Sequence, residues 1–87
     1  MGLSKNFILK KIGKDYTIIP INSNNVEYTS IFNTNETGAF IYGLLEKEKT
    51  FDEILEELKK EYNAPEDVLK QDLEEFINKL KERHIYE

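Results

Sequence analysis

Val26-Glu27-Tyr28-Thr29-Ser30-Ile31-Phe32-Asn33-Thr34-Asn35-Glu36-Thr37-Gly38-Ala39-Phe40-Ile41-Tyr42-Gly43-Leu44-Leu45 is the stretch in which the side-chain rhythm changes. Through Phe32 the reading has period two. Val26, Tyr28, Ser30 and Phe32 share one face and Glu27, Thr29 and Ile31 the other, as on a strand. From Asn35 onward the period is 3.6. Asn35 is a good N-cap, and Ile41, Leu44 and Leu45 are spaced to face a core, which predicts a helix over about 36–46. Gly38 and Gly43 each weaken such a helix by about 1 kcal/mol relative to alanine, unless packing needs small residues there.

Before this stretch the chain reads as strands. Phe7-Ile8-Leu9-Lys10-Lys11-Ile12 and Tyr16-Thr17-Ile18-Ile19-Pro20-Ile21 flank Gly13-Lys14-Asp15, a turn signal between two apolar runs. Pro20 cannot donate to a ladder, so it belongs near a strand end or on an edge. Asn22-Ser23-Asn24-Asn25 is a turn cluster leading into the third strand, 26–32.

After it the chain is helical. Thr50 and Glu53 form a capping box, and Phe51, Ile54, Leu55, Leu58 and Tyr62 follow at helical spacing. Asn63 and Ala64 break the run. Pro65 suits the first turn of a third helix, with Glu66 and Asp67 favourable at its positive end. Val68, Leu69, Leu73, Phe76, Ile77 and Leu80 line that helix in a broad stripe, and His84-Ile85-Tyr86 adds a short extended segment. The order β-β-β-α-α-α predicts an α+β fold, a three-stranded antiparallel sheet followed by three helices. That is a winged helix-turn-helix-like arrangement with the wing first, in one domain spanning residues 1–87. Phe51, Ile54, Leu58, Leu73, Phe76 and Leu80 are its expected core.

Composition narrows the function. The 87 residues contain no cysteine, so neither a disulfide nor a thiolate metal site staples the chain, which fits a reducing compartment. No apolar run approaches the ~20 residues of a membrane span. Residues 1–6 lack the apolar core of a secretion signal. They begin Met-Gly, but Asn6 stands where a myristoylation signal needs Ser or Thr. A cytoplasmic protein without membrane contact is expected. Charge is uneven. Residues 1–45 carry four lysines against three carboxylates, a balance of +1, and residues 46–87 carry eight bases against fourteen acids, a balance of −6.

Catalysis finds no foothold. Nucleophilic chemistry needs a nucleophile, a base and an orienting group. There is no cysteine, the only histidine is His84 near the end, and Ser4, Ser23 and Ser30 sit in no motif. Carboxylate pairs such as Glu56-Glu57 and Glu74-Glu75 read as solvated helix faces. No loop has calcium-site spacing and no glycine-rich phosphate loop is present. The expectation is a non-enzyme with no catalytic residue, metal or cofactor. Two features remain: an exposed strand edge, expected at the third strand, and the stripe of the third helix. A helix beside an open sheet edge makes a groove that an extended peptide can fill as an added strand.

The series Asn35 to Leu45, then Thr50-Phe51-Asp52-Glu53-Ile54, Tyr62, Asp72-Leu73-Glu74-Glu75-Phe76-Ile77 and Leu80, resembles the PqqD-like family over nearly the whole chain. The resemblance implies a leader-peptide recognition element of a ribosomal peptide-modification system. Such elements bind the leader of a precursor peptide and deliver it to a modifying enzyme, often a radical S-adenosylmethionine (SAM) protein. In that family the leader lies along the third strand with its side chains against the third helix. On this chain that implies Val26, Glu27, Tyr28, Thr29, Ser30, Ile31, Phe32 and Asn33 on the strand side. The helix side draws on Val68, Leu69, Asp72, Leu73 and Phe76. Two positions depart from the family's pattern. Thr34 stands where an apolar residue usually precedes the Asn that opens the first helix, and His84 stands where Gly usually precedes the final apolar pair.

Two alternatives belong to other classes. A winged-helix DNA-binding regulator would put the third helix in the major groove. Residues 66–82 carry Lys70, Lys79 and Lys81 against Glu66, Asp67, Asp72, Glu74, Glu75 and Glu82, a balance of −3 that repels phosphates, so no nucleic-acid partner is expected. A docking-only adaptor subunit would bind an enzyme but no peptide. An unpaired edge also suits either a monomer or a homodimer. The second helix's buried stripe has a direct test. Leu58→Ala is expected to cost about 2–5 kcal/mol in chemical denaturation, and a loss under ~0.5 kcal/mol would show that its buried face is misassigned.

Overall fold

The computed structural model describes residues 2–21 and 32–86. Strands β1 (Phe7–Ile12) and β2 (Asp15–Pro20) form a hairpin, and β3 (Phe32–Thr34) lies on the far side of β2, so the sheet order is β1-β2-β3, all antiparallel. Helices α1 (Glu36–Glu46), α2 (Phe51–Glu61) and α3 (Glu66–Glu82) follow. The expected α+β order is the observed one. The expected third strand lies mostly at 26–31, outside the described residues, and the strand seen extends to Thr34. None of the described helices is long and apolar enough to cross a membrane.

The hairpin follows from one residue. Ile12 pairs with Asp15, which leaves only Gly13 and Lys14 to turn the chain. Gly13 supplies φ +63 at the first of these positions, as a type II′ turn requires. Register then puts Leu9 opposite Ile18 and Ile18 opposite Phe32, building an apolar row toward the helices. Ile18 and Phe32 are buried and join Ile41, Tyr42, Ile54, Leu58, Leu73 and Leu80 in one core cluster. Phe51, expected inside, is half-buried at the cluster's margin.

Each helix starts where the sequence signals it. Asn35 caps α1, its side chain accepting from the Gly38 N–H at 2.8 Å. Thr50 and Glu53 close the capping box on α2, at 2.9 and 3.2 Å. The hydrogen bond from the Thr50 backbone N–H, and then the Thr50 side chain, hold the pKa of the Glu53 carboxyl below the ordinary carboxylate value. Pro65 differs by one position. It is the N-cap of α3, with no side-chain cap, and Glu66 takes the first helical place.

Helices α1 and α3 end alike, with Schellman hydrogen bonds. Glu48 N–H donates to Leu45 and Lys49 N–H to Leu44, while His84 N–H donates to Lys81 and Ile85 N–H to Leu80. Glu48 and His84 both take φ 59, the left-handed conformation that favours glycine. The turn at His84 drops Ile85 into the core and lets Tyr86 bridge Leu3. Tyr42, also fully buried, ties helix to sheet by donating its hydroxyl to the Phe7 carbonyl at 3.3 Å. Burial, and then the charge of Glu46, push its pKa to about 12.

Gly38 and Gly43 lie in the same helix in opposite surroundings. A Cβ on Gly38 would collide with the Thr34 hydroxyl and come within 2.9 Å of Cε1 on the Phe76 ring, whereas one on Gly43 would meet nothing within 4 Å. Gly38→Ala is therefore expected to cost about 1–3 kcal/mol by overpacking, and Gly43→Ala to gain up to about 1 kcal/mol from helix propensity. Urea denaturation of both variants checks this, and equal signs would refute the close approach at Gly38. His84→Gly is expected to raise the thermal midpoint, because glycine takes the left-handed turn without the steric cost a Cβ brings. A lowered midpoint would show that the imidazole holds the turn by other means.

Candidate functional site

Strand β3 is short, but three contacts fix its position. The Thr17 hydroxyl donates to the Asn33 side-chain oxygen at 3.0 Å, tying β3 to β2 on the outer face. On the inner face the Phe32 ring meets the Phe76 ring at 5.9 Å between centroids, and the Arg83 guanidinium lies 4.9 Å from the Phe32 centroid. Phe32 is thus held between the middle and the C-terminal end of α3. Beta3 is bonded to β2 on one side, and no described strand lies on the other. The outward-pointing backbone groups of such an edge are open to pairing.

Beside this edge runs a groove of about 460 Å³. Phe32, Gly38, Ile41 and Phe76 form its apolar floor; Asn33, Thr34, Asn35 and Thr37 form one rim, and Asp72, Glu75 and Lys79 the other. The second rim has a simple origin. Asp72, Glu75, Phe76 and Lys79 stand at i, i+3, i+4 and i+7 on α3, which brings them to one face. Leu69, Leu73, Phe76, Ile77 and Leu80 make the adjoining face and are buried. Phe76 belongs to both, being core and groove floor at once.

The residues singled out from sequence fall into four groups. Phe32, Asn33, Asp72 and Phe76 meet in the groove. Leu69 and Leu73 lie in the core, 3% and 0% exposed, so they carry the groove's floor from beneath instead of lining it. Val68 is 44% exposed and does not line the groove. Val26, Glu27, Tyr28, Thr29, Ser30 and Ile31 lie outside the described residues. Thr34, Asn35, Thr37, Gly38, Ile41, Glu75 and Lys79 complete the groove but were not singled out as peptide contacts. The Asp72–Lys79 face was available in the helical spacing; the contribution of Gly38 was not, because it depends on how closely α1 approaches β3.

A larger hollow, about 1310 Å³, opens between the N-terminal arm, the end of α1 and the C-terminal turn. Lys5, Glu46, Glu48, Lys49 and Arg83 ring it with mixed charge. It lacks the combination found at the smaller groove, an apolar floor flanked by a strand edge that no described strand covers. Among the described residues no group of His, Asp and Glu is arranged to hold a metal ion.

Fold and groove together define a winged-helix-like α+β domain in which β3 is the edge of the described sheet, beside the last helix. The family described as "Coenzyme PQQ synthesis protein D (PqqD)" matches residues 24–85, well over half the chain. The chain belongs to the PqqD family. A solved structure, "TbiB1 in Complex with the TbiA(beta) Leader Peptide", has a TM-score of 0.79 and 22% identity, covering 100% of this chain and 95% of that one. At that identity the likeness establishes the fold. Among curated proteins none matches.

Proposed function

We propose that this protein is a leader-peptide recognition module. It binds the leader of a ribosomally made precursor peptide by strand addition along β3 and presents it to a modifying enzyme. The observation that carries this reading is the groove of about 460 Å³ between α3 and β3, the edge strand of the described sheet. An extended peptide placed there pairs its backbone with β3, which is largely indifferent to sequence, and every second side chain faces α3, which is not. Family membership supports the reading, as does the similar fold of TbiB1, whose structure contains a leader peptide.

The strand side of the proposed contact is Phe32 and Asn33, continuing into 26–31. The helix side is Asp72 and Phe76, with Leu69 and Leu73 as the packed support behind them and Val68 as an outlying apolar contact. An apolar leader side chain fully desolvated there contributes up to about 1.5–3 kcal/mol. The module does no chemistry of its own. Reaction belongs to its partner, in the first place a radical SAM maturase.

A DNA-binding role is the weaker reading, since α3 carries a net −3 over 66–82 and would have to approach a polyanion. The test is an amide-shift NMR titration with the leader segment of the precursor encoded beside the gene. The largest shifts are expected on 32–34 and 72–79, with those residues of 26–31 whose amides are observed. Shifts centred on the β1–β2 hairpin or on α2 would place the site elsewhere. Modification of the precursor by this protein alone, without a maturase, would overturn the non-catalytic role.

A further inference from the structure

We propose that the groove reads charge order as well as shape. It takes an extended peptide whose apolar side chain sits over Phe76, with a basic side chain two residues before it and an acidic one two residues after. This rests on the peptide-binding reading above and adds the ligand's chemistry and direction.

The order comes from the three exposed charges of the α3 rim. Asp72 stands toward one end and Lys79 toward the other, with Glu75 beside Phe76 between them. Among the described residues, Asp72 and Lys79 meet no ion-pair partner. Glu75 is an i+4 candidate for neutralising Lys79, but its carboxylate accepts from the Gln71 amide at 3.1 Å, one turn toward the acidic end. At the acidic end the positive dipole of the α1 N-terminus is offset by Glu36 in its first turn and by the Asn35 cap. The groove is therefore negative at one end, apolar in the middle and positive at the other.

The spacing fits a strand. Asp72 precedes Phe76 by four residues, about 6 Å along the helix axis, and Lys79 follows by three, about 4.5 Å. Same-face side chains of a strand recur every ~6.6–6.8 Å. One side chain over Phe76 thus puts its i−2 and i+2 neighbours within side-chain reach of Asp72 and Lys79.

Direction follows from the run of β3 against α3. Phe32, at the start of β3, touches Phe76 and Arg83; beyond its end, Gly38 approaches Phe76. Beta3 thus runs from the positive end of the groove toward the negative end. Every described pairing in the sheet is antiparallel. An added antiparallel strand enters at Asp72 and leaves at Lys79, which sets the order as base, spacer, apolar, spacer, acid from N- to C-terminus.

The experiment uses two blocked synthetic nonapeptides of identical composition, Thr-Val-Lys-Thr-Leu-Thr-Glu-Val-Thr and the same sequence with Lys and Glu exchanged. Affinities are read from amide shifts of the full chain at low and high salt. The first peptide is expected to bind about tenfold more tightly at low salt, a ratio two exposed ion pairs can supply when made in one order and opposed in the other. The ratio should fall toward one as salt screens the charges. The double variant Asp72→Lys/Lys79→Glu should invert it, and Glu57→Lys/Lys60→Glu on α2 should leave it unchanged. Equal binding of both peptides in the groove, or tighter binding of the exchanged one, overturns the charge order while leaving the groove as the peptide site. Absence of groove shifts with either peptide up to millimolar concentration counts against the peptide-binding reading itself.

Discussion

Gly38 is the point at which the first helix presses onto both the sheet and the last helix. A Cβ there would drive into Thr34 and crowd the Phe76 ring, so the backbone of α1 lies nearer to both than any other residue allows. The helix accepts a residue that costs about 1 kcal/mol in propensity to gain this approach. The consequence is geometric. With α1 seated this closely, Thr34 and Phe76 face each other across a narrow gap, and β3 stands beside α3 at the width of a groove. A looser fit would separate the strand edge from the helix wall, leaving a backbone that pairs without selecting and a helix face that selects without pairing.

The groove also needs the strand held flat against its neighbour, and two different interactions do this on opposite faces. Thr17 and Asn33 are opposite each other in register and bonded through their side chains. Phe32 is stacked between Phe76 and Arg83. Three strand residues contribute little area on their own. Anchored on both faces they become a fixed edge, and a peptide that adds to a fixed edge spends less of its binding free energy on ordering the receptor.

The elements whose local chemistry is self-contained were legible in the sequence. The capping box at Thr50 and Glu53, the Asn35 cap and the Gly13 turn each act over two to four residues, and each is where the pattern indicated. Pro65 was one place off, since proline tolerates both the cap and the first turn. What escaped depends on tertiary approach. Tyr42 carries a hydroxyl and still lies fully buried, because the Phe7 carbonyl is within reach across 35 residues of chain. Leu69 and Leu73 belong to the same apolar stripe as Phe76. Only the packing angle of α3 decides that Phe76 reaches the groove and those two do not. Lys79 was visible as a charge but not as a rim.

The departures from the family pattern at Thr34 and His84 have physical readings. Thr34 places a short polar side chain against a residue with none, so the gap left by Gly38 is filled by the strand instead of by the helix. His84 occupies a left-handed position where glycine is the unstrained choice. The turn it makes carries Ile85 into the core and sets the end of α3, and with it Arg83 above Phe32. That cost is therefore spent next to the groove. The C-terminal turn thus reaches β3 through Arg83 and Phe32, although no residue beyond Lys79 lines the groove itself.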